Sequence, residues 1–256
     1  MTPTDSRLCA IHQPNLFPRL STLAKICAAD VWVVLDDVQF TRRDYQHRAR
    51  LGPRSDPSAQ QWMSLSVTLP NGRNTKIRDV RIVDSDTCRR RVARMTRQLH
   101  GRGQHWGPVG HEVEHIVQLM RQTDQLAEIA TASTQSLLKL VGWSGEIVRS
   151  SEIATRPERS LRLADLTLAV GATDYVCGSG GAKYLNTEAF IDQGLGVRYF
   201  RPPESGVWTG ASRVSAIAAL AEDGRAALSP SLHRADNTAS PAEMHGVTLS
   251  APQPGW

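Results

Sequence analysis

Two stretches decide the fold of this chain: Leu8-Cys9-Ala10-Ile11-His12, and, after a short intervening segment, Val31-Trp32-Val33-Val34-Leu35-Asp36-Asp37. Each opens with a continuous apolar run of strand length, the pattern of a strand buried on both faces. Between them Gln13-Pro14-Asn15 reads as a turn, and Pro18 restricts helix before it. Ser21 serves as N-cap for a helix carrying Leu23, Ile26 and Cys27. Strand, helix and strand within about thirty residues make a βαβ unit, so the two strands are expected to be parallel. The fold class that follows is α/β: a largely parallel sheet opening with this unit and flanked by helices. Ligands of such sheets collect at the carboxyl ends of the strands. Those ends carry His12 and the Asp36–Asp37 pair.

Further along, residues 52–60 are rich in Gly, Pro and Ser and read as a loop. Trp62 to Leu69 alternates with apolar Met63, Leu65, Val67 and Leu69, and Ile77 to Val83 alternates again after the turn Pro70-Asn71-Gly72. Together they predict a small β-hairpin insertion. Residues 87–99 and 111–140 have helical periodicity, the second with Ile116, Leu119, Met120, Leu126 and Ile129 on one face. Strands are expected at 145–148, 174–177 and 197–200, and helices at 161–170, around 189–191 and at 214–220. The segment 7–228 is expected to form a single α/β domain. Residues 229–256 lack periodicity and read as a poorly ordered tail.

The 256 residues suffice to bury a core without staples, and no window approaches the roughly 18 apolar residues of a membrane span. Met1 to Arg7 has no apolar run of a signal peptide. Cys9, Cys27, Cys88 and Cys177 lack C-x-x-C spacing, which argues against a disulfide framework or a thiolate zinc site. A cytoplasmic location is therefore expected. The net charge is +5, and the 30 Lys+Arg include four lysines, leaving 26 arginines. The arginines bunch at Arg42, Arg43, Arg48, Arg50 and Arg54, and again at Arg89, Arg90, Arg91, Arg94 and Arg97. Helical spacing puts Arg90, Arg94 and Arg97 on one stripe, either a solvated face or a landing site for a phosphate-bearing partner.

Chemistry has three candidate locations. A histidine at a strand end near carboxylates, as His12 is near Asp36 and Asp37, can be held in one tautomer and act as a general base; the alternative is a capping role. In Cys177-Gly178-Ser179-Gly180-Gly181, the glycines allow close backbone approach, and successive N–H groups there can hold an anion. Cys177 is a nucleophile candidate provided a base lowers its pKa, the alternative being a small buried residue. This loop fits neither a Walker frame nor a dinucleotide fingerprint. Third, His111-Glu112-Val113-Glu114-His115 matches H-E-x-x-H. No third ligand follows at a metzincin spacing, so we read it as a chance match and expect no metal and no cofactor.

Beyond these patterns, Ile11-His12-Gln13-Pro14-Asn15-Leu16-Phe17-Pro18, Lys25, Ala29-Asp30-Val31, Leu35-Asp36-Asp37-Val38-Gln39-Phe40 and Gln46-His47-Arg48 resemble the WbqC-like protein family. The likeness continues at Trp62, at Val176 to Gly181 and at Tyr184-Leu185, and spans roughly residues 8 to 224. It implies His12, Asn15, Lys25, Asp36, Asp37, Gln39 and Arg48 as motif residues. Two departures stand out: Cys177-Gly178 replaces the family's usual Ser-Gly, and Ala218 replaces a late acidic residue. The family's occurrence in polysaccharide and specialised-metabolite pathways implies a biosynthetic acyl or aminoacyl transferase, glycyl among the options, acting on a small-molecule amine acceptor. His12, Asp36, Asp37 and Cys177 would be catalytic. Asn15, Lys25, Gln39, Arg48, Gly178, Ser179, Gly180 and Tyr184 would bind substrate. The expected donor carries phosphate: an aminoacyl-tRNA, a carrier thioester or a nucleotide-linked acyl group. The alternatives are an ATP-dependent adenylate-forming ligase and a non-catalytic adaptor that binds RNA or a carrier through Arg89–Arg97.

Overall fold

The computed structural model describes residues 6–202, 205–232 and 238–239. Its centre is a sheet whose first pair is β1 (Leu8–His12) and β2 (Val31–Val34), parallel, with Cys9 opposite Val31 and His12 opposite Val34. Helix α1 (Leu20–Cys27) makes the crossover, as the sequence predicts, but Arg19 rather than Ser21 stands at its N-cap and Ser21 lies inside its first turn. Strands β7 (Glu146–Arg149), β8 (Asp174–Gly178) and β9 (Gly196–Phe200) extend the parallel sheet in the order β9-β8-β1-β2-β7. Thr238–Ala239 (β10) adds an antiparallel edge to β9.

Alternation along the strands feeds two apolar layers. Leu8, Ala10, Trp32, Val34 and Val176 face α1, α3 (Trp106–Leu119), α4 (Leu126–Leu140) and α8 (Ala216–Leu232). Cys9, Ile11, Val31, Val33, Tyr175 and Cys177 face the other way, toward α5 (Arg159–Ala169) and α7 (Glu188–Ile191). There the Tyr175 and Phe190 rings stack with centroids 5.4 Å apart. A parallel sheet covered on both faces explains why its strands read as continuous apolar runs.

Several expectations need correction. The single helix over 111–140 is two helices: α3 ends at Leu119, and α4 begins at Leu126. In the break, Thr123 Oγ1 donates to Glu128 and accepts from the Gln125 N–H, a local alternative to helical bonding. The expected hairpin is present and a second antiparallel pair accompanies it. β5 (Val67–Thr68) and β6 (Arg81–Ile82) do pair antiparallel, but β4 (Gln61–Ser64) pairs instead with the unforeseen β3 (Arg48–Leu51). The loop between β3 and β4 turns tightly at Gly52, whose φ of +123° and 2.9 Å approach of a would-be Cβ to the Ala59 carbonyl oxygen require glycine. α2 (Ser85–His100) packs beside this ribbon. α8 runs past the expected boundary to Leu232, with a kink at Gly224; apart from Thr238–Ala239, the rest of the expected tail lies outside the described residues. No helix among the described residues is long and apolar enough to cross a membrane.

Candidate functional site

The chain leaves β1 toward β2 and β7, then returns to place β8 and β9 on the opposite side of β1. The carboxyl ends of β1 and β8 therefore form the switch-point crevice where doubly wound sheets bind ligands. A cleft of about 750 Å³ opens there. His12 from β1, Lys25 from α1, and Gly178, Ser179, Gly180 and Gly181 after β8 all line it. So do three arginines that the motif reading did not single out: Arg19, Arg159 and Arg162. The cleft is therefore cationic, with Asp44 its acidic lining residue.

His12 is neutral at physiological pH. Burial lowers its pKa well below 6.5, and the nearby Lys25 and Arg19 charges lower it further, against a hydrogen bond with the Asn15 side chain. Its Nε2 is shielded and has no hydrogen-bond partner among the described residues, so a bound ligand has a hydrogen bond to satisfy. Asn15 is buried, and its carbonyl accepts from Ser133 and Thr134 of α4, which fixes the turn after β1. The Lys25 Nζ donates to the Ile11 carbonyl at 3.0 Å. Burial brings its pKa down to about 8, while the Cys177 and Cys9 thiols oppose that shift.

The acidic pair does different work from that expected of it. Asp36 is buried and accepts from the Ser151 N–H at 3.1 Å, the Ser151 hydroxyl at 3.0 Å and the Ser150 hydroxyl at 3.3 Å. It clasps the turn after β7 and is not among the residues lining the cleft, whereas His12 is. Asp37 accepts from Ser150 and forms an ion pair with Arg162. Through that pair it orients a cleft arginine without lining the cleft itself. Both carboxylates meet at the Ser150 hydroxyl; Asp36 reaches on to Ser151 and Asp37 to Arg162, which separates the two roles.

Cys177 lies within the apolar layer beneath the cleft and is not among the residues that line it. Its side chain is fully buried in the layer under α5 and α7, and burial raises its pKa despite the Lys25 charge. A Cβ at Gly181 would stand 3.1 Å from its Sγ, so the thiol packs against the glycine turn. Gln39 donates to the Arg73 carbonyl at 2.6 Å, away from the cleft. Arg48 donates to the Asp44 carbonyl at 3.0 Å and lies over the Trp62 ring. Tyr184 is 67% exposed with Arg159 over its ring at 5.3 Å, beside the cleft rather than in its lining. His111 and His115 are exposed on α3. Among the described residues, no group of three His, Cys, Asp or Glu side chains converges as metal ligands do.

Arg159 and Arg162 sit on an amphipathic helix with no local signature, so only the folded chain reveals them. Arg19 directly follows the motif proline Pro18, and that adjacency was the available signal.

The family model described as the WbqC-like protein family matches residues 13–214, most of the chain. The chain belongs to the WbqC-like protein family. It is also similar to the uncharacterized protein Rv1507c of Mycobacterium tuberculosis, 24% identical over 191 residues that cover 75% of this chain and 80% of that protein. No solved structure matches it. The match begins at Gln13 and takes in Lys25 and Gly178 to Gly181, so most of the cleft belongs to the family region of this WbqC-like chain.

Proposed function

We propose that this WbqC-like protein transfers an acyl or aminoacyl group, glycyl among the options, from a phosphate-bearing donor to a small-molecule amine in polysaccharide or specialised-metabolite biosynthesis. One observation carries the reading: a neutral histidine with an unpartnered nitrogen stands in a cleft ringed by Arg19, Lys25, Arg159 and Arg162. Guanidinium groups suit phosphate oxygens, and a neutral imidazole is the form that accepts a proton.

In this mechanism the acceptor amine attacks the donor's acyl carbon directly. The new C–N bond forms, His12 takes the amine proton, and the C–O or C–S bond to the donor breaks. The proton then passes from His12 to the leaving group. Lys25 and the backbone N–H groups of the 178–181 turn supply positive potential for the developing oxyanion. The buried, protonated state of Cys177 favours direct attack over an acyl-cysteine.

The same cationic cleft also suits ATP phosphates, as an adenylate-forming ligase requires. The test offers isotopically labelled glycyl-tRNA and acyl thioesters with an amino-sugar acceptor, with and without ATP, and follows amide formation by mass spectrometry. Amide formation without ATP is the expected result. A strict requirement for ATP with pyrophosphate release would replace transfer by ligation, and no amide from any donor would remove the reading.

A further inference from the structure

The ribbon of β3 and β4 divides its side chains between two faces. Ala49 stands opposite Met63, and Arg50 opposite Trp62. Ala49, Leu51 and Met63 are buried in the core, whereas Arg48, Arg50 and Trp62 lie on the outward face. The Arg48 guanidinium is 4.1 Å from the Trp62 ring centroid and that of Arg50 is 6.0 Å from it. The Tyr45 ring follows at 5.5 Å from Trp62, and Arg19 lies over Tyr45 at 4.2 Å. Arg19 also lines the cleft, so this ladder of cations and rings leads to the cleft's mouth.

Two features of the ladder exceed what the fold needs. Trp62 remains 40% exposed even with Arg48 across it. Among the described residues, none of Arg19, Arg42, Arg43, Arg48 and Arg50 forms an ion pair with a carboxylate, and Arg42 and Arg43 are exposed. Burial lowers the pKa of His47, and the nearby Arg48 and Arg42 charges lower it further, against Asp44.

We propose that this ribbon is a docking surface for single-stranded RNA, guiding it to the cleft. Unneutralised guanidiniums along the strand meet phosphates, and aromatic faces between them stack bases; that combination defines single-strand nucleic-acid grooves. An acidic peptide would use the cations but leave the exposed part of the indole uncovered. The inference rests on the transferase reading and deepens it, because it makes the phosphate-bearing donor RNA-linked.

The experiment is fluorescence anisotropy of a labelled oligouridine of about 12 nucleotides titrated with the full chain. With about four phosphates neutralised, log K should fall against log salt with a slope near −3, at about 0.7 per phosphate. Trp62→Ala should weaken binding about tenfold and Trp62→Phe much less, as loss of one stacking platform predicts. Arg50→Gln should weaken binding and flatten the slope by about 0.7. Trp62 is exposed, so circular dichroism is expected to show an unchanged fold in its variants; Arg50→Gln provides an independent arm.

Equal affinity of wild type, Trp62→Ala and Arg50→Gln would overturn the proposal. Competition by polyglutamate of equal length as strong as that by RNA would overturn it in favour of an acidic peptide, and equal competition by AMP in favour of a mononucleotide subsite. The readout needs no turnover. Transfer from a thioester donor without RNA binding would therefore remove this inference and leave the transferase reading, whereas RNA binding without transfer from any donor would do the reverse.

Discussion

Lowering the pH from about 7.5 to about 5 should cost this protein a large share of its stability, because it buries neutral imidazoles. His100, at the end of α2, is the clearest case. Its Nε2 accepts from the Gly52 N–H at 3.3 Å, and burial brings its pKa down from 6.5 to about 4. The sign follows from linkage: at pH 5 the unfolded histidine is almost fully protonated while the folded one is not, so acid favours unfolding. Between about pH 7.5 and pH 5 the lost stability for His100 is roughly 2 kcal/mol, at about 1.4 kcal/mol per pKa unit. His12 acts in the same direction. His47 acts in the same direction, its pKa brought down to about 4 by burial first and by the Arg48 and Arg42 charges second, the latter discounted for solvent screening. Against a typical total of about 5–15 kcal/mol, the sum is a visible fraction. The carboxylates with lowered pKa values, Asp56, Asp84, Glu158 and Asp165, titrate below this window and do not mask it. Urea unfolding at several pH values measures the effect. His100→Gln, which keeps an acceptor for Gly52, should reduce the slope by close to one proton. A stability that stays flat over this range, or a slope unchanged in His100→Gln, would refute the reasoning.

Three other outcomes follow from the cleft. Asp37→Asn releases Arg162 from its ion pair, so pyrophosphate measured by calorimetry should bind roughly fivefold more weakly, the size of one loosened polar contact; unchanged affinity would mean that Asp37 does not position the arginine. Lys25 loses its proton as pH rises through about 8, so pyrophosphate affinity should fall between about pH 7 and pH 9 and stop falling in Lys25→Met. Cys177 should resist iodoacetamide in the native protein at about pH 6, a slow reaction for any protonated thiol, and Cys177→Ser should keep transfer activity; fast selective labelling would restore the covalent route.

Much of this was legible in the chain. The β1–α1–β2 unit was readable because a doubly covered parallel strand needs apolar residues on both faces, and Val31 to Val34 supply them. The same requirement exposed β8, whose Tyr175, Val176 and Cys177 are all buried. β3 was missed because Arg-Ala-Arg-Leu at 48–51 puts arginine on its outward face, and only pairing with Met63 reveals Ala49 and Leu51 as core. The split between α3 and α4 was hidden because the apolar periodicity continues across it through buried Met120. At the site, His12, Lys25 and the 178–181 turn were readable from strand ends and motif likeness. The functions of Asp36 and Asp37 were not, since their partners Ser150, Ser151 and Arg162 lie more than a hundred residues away in sequence.

The central claim, a neutral His12 serving as base beside a bound phosphate-bearing donor, is tested most directly by comparing wild type with His12→Asn in a single-turnover transfer assay, with donor binding measured on the same samples. The account predicts that His12→Asn binds the donor nearly as well and forms the amide about 10²–10⁴-fold more slowly, the usual contribution of a general base. Equal transfer rates in the two proteins would contradict it.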